Sequence, residues 1–114
     1  MSQESTPVQP RFALTTTVVL REATGSAVLA KLKNISLSGC YVETPRQITE
    51  GARIRVALQM VDIRADVWGI VQRRDETGLG IRFSHGATVE DWKRLESFIR
   101  ELHQAVPSTS AAAT

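Results

Sequence analysis

From Leu14 onward, apolar and polar residues alternate with the period of a strand. Leu14, Thr16, Val18 and Leu20 share one face of a predicted strand. Val28, Ala30 and Leu32 share one face of the next, with Lys31 and Lys33 opposite, and Thr24-Gly25-Ser26 is the turn that joins the two as a hairpin. A short strand follows from Cys40 to Glu43, and Pro45 ends it. Beyond a turn at Glu50-Gly51, Ile54, Val56, Leu58 and Met60 alternate with Arg53, Arg55 and Gln59. Val61-Asp62 predicts a tight connection. Ile63, Ala65, Val67, Gly69 and Val71 then face away from Arg64 and Asp66. Asp75-Glu76-Thr77-Gly78 is a turn, and Leu79, Ile81 and Phe83 form the last strand. About six short strands at this spacing predict an all-β barrel or sandwich rather than a parallel α/β sheet. The alternation also requires an antiparallel sheet with one wet face.

The period changes near the end of the chain. Val89, Trp92, Leu95, Phe98, Ile99 and Leu102 recur at three- and four-residue spacing, which predicts an amphipathic helix to about His103. Thr88 is its predicted cap, with Glu90 and Asp91 in the first turn, where acid complements the helix dipole. Glu90 with Arg94 and Glu96 with Arg100 are favourable i,i+4 pairs. The apolar stripe is expected to pack on the barrel or plug one end. The polar, proline-bearing start predicts a flexible arm over residues 1–10, the domain proper spans 11–104, and the small polar residues 105–114 predict a disordered tail.

Composition narrows the function classes. The chain has 114 residues, 42% apolar and 23% charged, which fits one globular domain with a real core. The single cysteine, Cys40, cannot form an internal disulfide and is expected to be a small buried hydrophobe. No apolar stretch is long enough for a membrane span and no signal-peptide pattern opens the chain, so a cytoplasmic location is expected. The net charge of +2 is a mild bias toward anionic partners, not the dense basic stripe of a general nucleic-acid binder. Lys31, Lys33 and Lys93 are the only lysines among 14 basic side chains, and arginine suits planar, bidentate recognition of phosphate or guanine. Most of these arginines are expected on solvated strand faces.

Catalytic chemistry is sparse. His85, in a predicted Ser-His-Gly turn, and His103 have no triad partners in sequence. Asp62 and Asp66 have Arg64 between them, which predicts a charge-balanced solvated strand. There is no phosphate loop and no metal-ligand spacing. Gly78-Leu79-Gly80 is turn chemistry. The expected class is therefore a binding module, not an enzyme, with no cofactor. An oligonucleotide-binding barrel needs exposed aromatics, and the chain has only two Trp, one Tyr and three Phe.

One run stands apart: Asn34-Ile35-Ser36-Leu37-Ser38-Gly39, between two strands. By composition it is an ordinary turn. It also offers an amide able to read a base edge, two hydroxyls, and a glycine that permits close backbone approach or φ > 0.

This Asn-x-Ser-x-x-Gly run, followed by Cys40-Tyr41-Val42-Glu43-Thr44, resembles the second motif of the PilZ domain. Val67-Trp68-Gly69-Ile70-Val71 through Gly78-Leu79-Gly80-Ile81-Arg82-Phe83 is similar to that family's late strand pair. The resemblance covers about Arg11 to Leu102. It implies a six-stranded antiparallel β-barrel with a C-terminal α-helix, and a bacterial receptor for cyclic di-GMP. It implies ligand contacts from Arg11 (guanine or phosphate), Asn34 (guanine edge), Ser36 (phosphate or base) and Gly39 (close approach). The family's first motif, R-x-x-x-R, is half present. Arg11 takes its second arginine, and Pro7 stands where the first belongs. Two readings follow from that departure: a receptor with weakened affinity, or a non-binding adaptor acting through contacts with a protein effector.

Overall fold

The computed structural model describes residues 12–60 and 63–113, with side chains described over 16–60 and 63–102. Six strands, β1 (Phe12–Glu22), β2 (Ala27–Ile35), β3 (Gly39–Glu43), β4 (Arg53–Met60), β5 (Ile63–Arg74) and β6 (Gly78–Gly86), precede one helix, α1 (Val89–Ala113). All pairings are antiparallel, and the strands close into a barrel in the order β1-β2-β3-β6-β5-β4. The closing ladder runs from Val19 opposite Ala57 to Glu22 opposite Ile54. This closure pairs the two end strands of the sheet over that stretch and so limits the open edge that is the usual liability of a small β protein.

The inward faces are those the alternation predicts. Val18, Leu20, Ala30, Leu32, Val42, Ile54, Val56, Leu58, Ile63, Ala65, Val67, Val71, Leu79, Ile81 and Phe83 are buried in one core. A fully buried aliphatic side chain contributes about 1.5–3 kcal/mol. Cys40 lies buried in this core, as its expected role as a small hydrophobe requires. Gly25 and Gly51 turn the chain with φ of 98° and 89°. The Val61-Asp62 connection and the arm through Arg11 lie outside the described residues.

Thr88 caps α1 as expected: the Asp91 N–H donates to Thr88 Oγ1 at 3.0 Å, and the Thr88 hydroxyl donates back to the Asp91 carboxylate at 3.0 Å. Arg94 pairs with that same Asp91 at 3.2 Å. Leu95, Phe98 and Ile99 enter the barrel core, with Trp92 and Leu102 packed beside them. Val89 departs from the expected stripe and is 71% exposed. It is the first helical residue, three positions before Trp92, where the helix packs against Gly86 of β6 and the core. The helical backbone continues to Ala113, past the last apolar position of the stripe.

Candidate functional site

The Asn34–Gly39 run forms the link between β2 and β3, and its residues divide into two groups. Ser36 is fully buried. Its hydroxyl lies 3.0 Å from Ser38 Oγ and accepts the Ser38 N–H at 3.2 Å, while the Ser36 N–H donates to the Gly39 carbonyl at 2.8 Å. These bonds hold the loop tight. Gly39 does not have a positive φ; the only described glycines that do are Gly25 and Gly51. What approaches Gly39 is β6. A Cβ there would be driven into the Ile81 carbonyl oxygen, with the Arg82 Cα 3.2 Å away. Ser36 and Gly39 therefore shape the loop, and Asn34 is the motif residue that reaches a cleft.

That cleft is built by register. Asn34 sits opposite Tyr41, Tyr41 opposite Gly80, and Gly80 opposite Arg73, so one residue from each of β2, β3, β6 and β5 stands in a single row. Strict alternation would have placed Asn34 with the buried Leu32, and Arg73 with the buried Val71. Both instead face outward because each follows a one-residue bulge, at Lys33 on β2 and at Gln72 on β5. Bulges re-aim side chains in this way beside binding sites. The cleft has a volume of about 630 Å³, within the range of small-molecule sites. Gln72 and Asp75 complete its rim.

Arg73 lies across Gly80: a Cβ at position 80 would sit 3.1 Å from Arg73 Cγ. Among the described residues no carboxylate pairs with it. Of the other arginines, Arg46 has its guanidinium paired, whereas Arg74 is held through its backbone. Arg46 pairs with Glu22 at 2.7 Å, and the backbone N–H of Arg74 donates to Glu50 at 3.2 Å. Arg73 is the functional candidate that the sequence did not single out, because the bulge before it is set by pairing with β6.

The far wall is a polar clamp. The Tyr41 hydroxyl donates to Asp75 Oδ1 at 2.8 Å and lies 2.6 Å from Thr77 Oγ1. The same Asp75 oxygen accepts the N–H of Thr77 at 2.9 Å and of Gly78 at 2.8 Å. The Tyr41 phenol, then those two N–H groups, hold the Asp75 carboxyl down at about 2, against an ordinary 3.8. On the phenol, Thr77 acts downward, but burial and the Asp75 charge outweigh it, so Tyr41 titrates above its ordinary value. This network fixes the β5–β6 turn against β3.

Arg11 lies outside the described residues, but the strand that follows it is placed. Phe12 pairs with Ile35 and Ala13 with Asn34, so β1 begins beside the cleft. His85 is not in a turn; it lies in β6 opposite Trp68. Ser84 Oγ donates to the Trp68 carbonyl at 3.1 Å and is 3.1 Å from His85 Nδ1. With its proton directed to that carbonyl, the serine hydroxyl does not form the serine-to-imidazole hydrogen bond of an activated nucleophile. Among the described residues no cluster of His, Cys, Asp and Glu could hold a metal ion, and no helix is long and apolar enough to cross a membrane.

A family model described as the PilZ domain matches residues 8–101. No curated protein matches the chain. Among solved structures, it is similar to the PilZ domain of CeSA from a cellulose synthesizing bacterium, with a TM-score of 0.68 at 13% identity over 82% of this chain and 98% of that one. It is similar to the K. pneumonia MrkH–c-di-GMP complex, with a TM-score of 0.70 at 18% identity over 90% of this chain and 53% of that one. The Borreliella burgdorferi PlzA protein in complex with c-di-GMP gives a TM-score of 0.55 at 13% identity, over 72% of this chain and 36% of that one. The chain thus spans about half of the MrkH chain and about a third of the PlzA chain. At these identities the likenesses speak for the fold.

Proposed function

This chain belongs to the PilZ domain family, and on that premise we propose that it is a receptor module for cyclic di-GMP that binds in the cleft along Asn34, Tyr41, Gly80 and Arg73. The observation that carries the reading is the convergence of Asn34 and Arg73 on one cleft, beside the point where the arm bearing Arg11 enters β1. Two of the similar structures, MrkH and PlzA, are complexes with this ligand.

The chemistry fits the cleft. Cyclic di-GMP presents two guanine edges and two phosphates. The Asn34 amide offers donors and an acceptor to a guanine edge. Arg73 offers a planar fork for phosphate or for guanine O6 and N7. Gly80 leaves flat floor between Tyr41 and Arg73, where any side chain would crowd the arginine stem. Arg11 closes over the ligand as the arm orders, and that ordering is the output signal. Ser36 and Gly39 support the site by holding the loop beneath Asn34.

The proline at position 7 removes one arginine that the family pattern supplies. Arg73 offsets part of that loss from the opposite side of the cleft. A charge-assisted hydrogen bond is worth about 1.5–3 kcal/mol, so removing Arg73 should weaken binding by roughly ten- to hundredfold. Isothermal titration of the full chain with cyclic di-GMP tests the reading. Saturable heat in the micromolar range, reduced by Arg73→Ala and by Asn34→Ala, is the expected result. Absence of heat well above micromolar ligand overturns it and leaves the non-binding adaptor, which Pro7 motivates.

A further inference from the structure

A second surface lies on the outer faces of β1, β4, β5 and β6. Arg21 stands opposite Arg55, Arg55 opposite Trp68, and Trp68 opposite His85, a continuous cross-strand row. Arg53 begins the neighbouring row, opposite Ile70, which is opposite Arg82. The Arg53 guanidinium lies 4.4 Å from the Trp68 ring centroid and that of Arg55 5.6 Å from it, both within cation–π range. Two guanidinium groups, those of Arg53 and Arg55, thus flank one half-buried tryptophan, with Arg21 and Arg82 farther along the same two rows.

The anions nearby do not balance them. Asp66 reaches Arg55 Nε only at 4.0 Å, and Glu22 is taken by Arg46. Arg55 Nε is shielded from solvent without a hydrogen-bond partner. Among the described residues Arg21, Arg53 and Arg82 have no ion pair. Like charges directly opposite each other destabilise a sheet, so Arg21 beside Arg55 costs the isolated fold something that an anionic partner would offset.

We infer that this face docks an acidic segment of a protein partner, whose Asp and Glu carboxylates engage Arg21, Arg53 and Arg55 while an apolar side chain packs against Trp68. Three features favour a polypeptide. Arginine forks match carboxylates in bidentate geometry. Arginine and tryptophan are the residues that dominate protein–protein hot spots. Single-stranded nucleic acid stacks successive bases on several aromatic faces, whereas this patch holds one half-buried ring, that of Trp68.

The test needs no nucleotide, so its failure is distinct from failure of the cyclic di-GMP reading. The probe is a short synthetic peptide of Asp and Glu with one central Leu, titrated into the labelled full chain and followed by NMR. The expected result is salt-sensitive shifts of the Trp68 indole N–H and of the Arg53 and Arg55 Nε–H groups. Arg53→Glu with Arg55→Glu should weaken binding by about tenfold or more, while Arg73→Ala leaves it unchanged. Should the charge-reversed variant fail to fold, Arg53→Gln with Arg55→Gln reports the same loss. No shift at millimolar peptide overturns the inference. So does an oligothymidine or a phosphatidylglycerol vesicle that moves these resonances at lower concentration than the peptide does.

Discussion

Replacing Gly39 with alanine separates two roles for the glycine of the motif. If Gly39 serves only to let a ligand approach, alanine should leave the fold intact, or stabilise it by about 0.4–1 kcal/mol through the unfolded chain, and harm binding alone. The structure predicts the opposite sign. The new Cβ would be driven into the Ile81 carbonyl oxygen and would sit 3.2 Å from both the Ile81 carbonyl carbon and the Arg82 Cα. All three are backbone atoms, so no side chain can rotate away. β3 and β6 must part where Gly39 pairs with Arg82 and Cys40 with Ile81. Overpacking typically costs 1–3 kcal/mol, and a backbone obstacle belongs at the upper end, about 2–3 kcal/mol. For a domain of this size that is a fall of about 8–24 °C in Tm, at about 4–8 °C per kcal/mol. Urea unfolding followed by the fluorescence of Trp68 and Trp92 measures it, with Gly25→Ala as a control that meets no atom within 4 Å and carries only the strain of a φ of 98°. A Gly39→Ala chain as stable as the parent would refute the packing argument and return the glycine to the ligand.

Other perturbations test the clamp, the cap and the cleft. The Asp75 carboxyl titrates at about 2 in the fold against an ordinary 3.8, so its contribution to stability is present above about pH 4 and is lost as pH falls toward 2. Tyr41→Phe removes the largest cause of that depression, so the Asp75 carboxyl should titrate closer to its ordinary value by carbon-detected NMR, and an unmoved value would count against the clamp. Thr88→Ala should cost about 1 kcal/mol through loss of the cap, read by thermal melting, whereas Thr88→Ser should retain most of it. Arg73→Ala should weaken cyclic di-GMP binding by roughly ten- to hundredfold without lowering Tm, since the side chain is exposed and pairs with no carboxylate among the described residues. Equal loss from Arg73→Lys would indicate that the planar fork, rather than the charge alone, is what the ligand requires.

The strands, their inward faces and the helix were legible because each is written in a local period. Leu20, Leu32, Val56 and Val67 fall where alternation places them, and Leu95, Phe98 and Ile99 where helical spacing does. The motif was legible as a loop, yet the work of its members was not. In sequence Ser36 offers a hydroxyl to phosphate or base, yet it is buried within the loop, and Gly39 offers close ligand approach or a positive φ, yet what approaches it is β6. Both facts depend on what folds back onto the loop. The cleft shows the limit most clearly. Counting by twos from Leu32 and from Val71 places Asn34 and Arg73 inside the barrel. A bulge inserts one residue before each and turns it out, and each bulge exists only through pairing with a partner strand. Pattern alone therefore loses the arginine on which the proposed cyclic di-GMP site draws. The barrel brings it to the cleft by setting Gly80 opposite both Tyr41 and Arg73, so that a guanidinium from a strand far along the chain stands beside Asn34 of the motif.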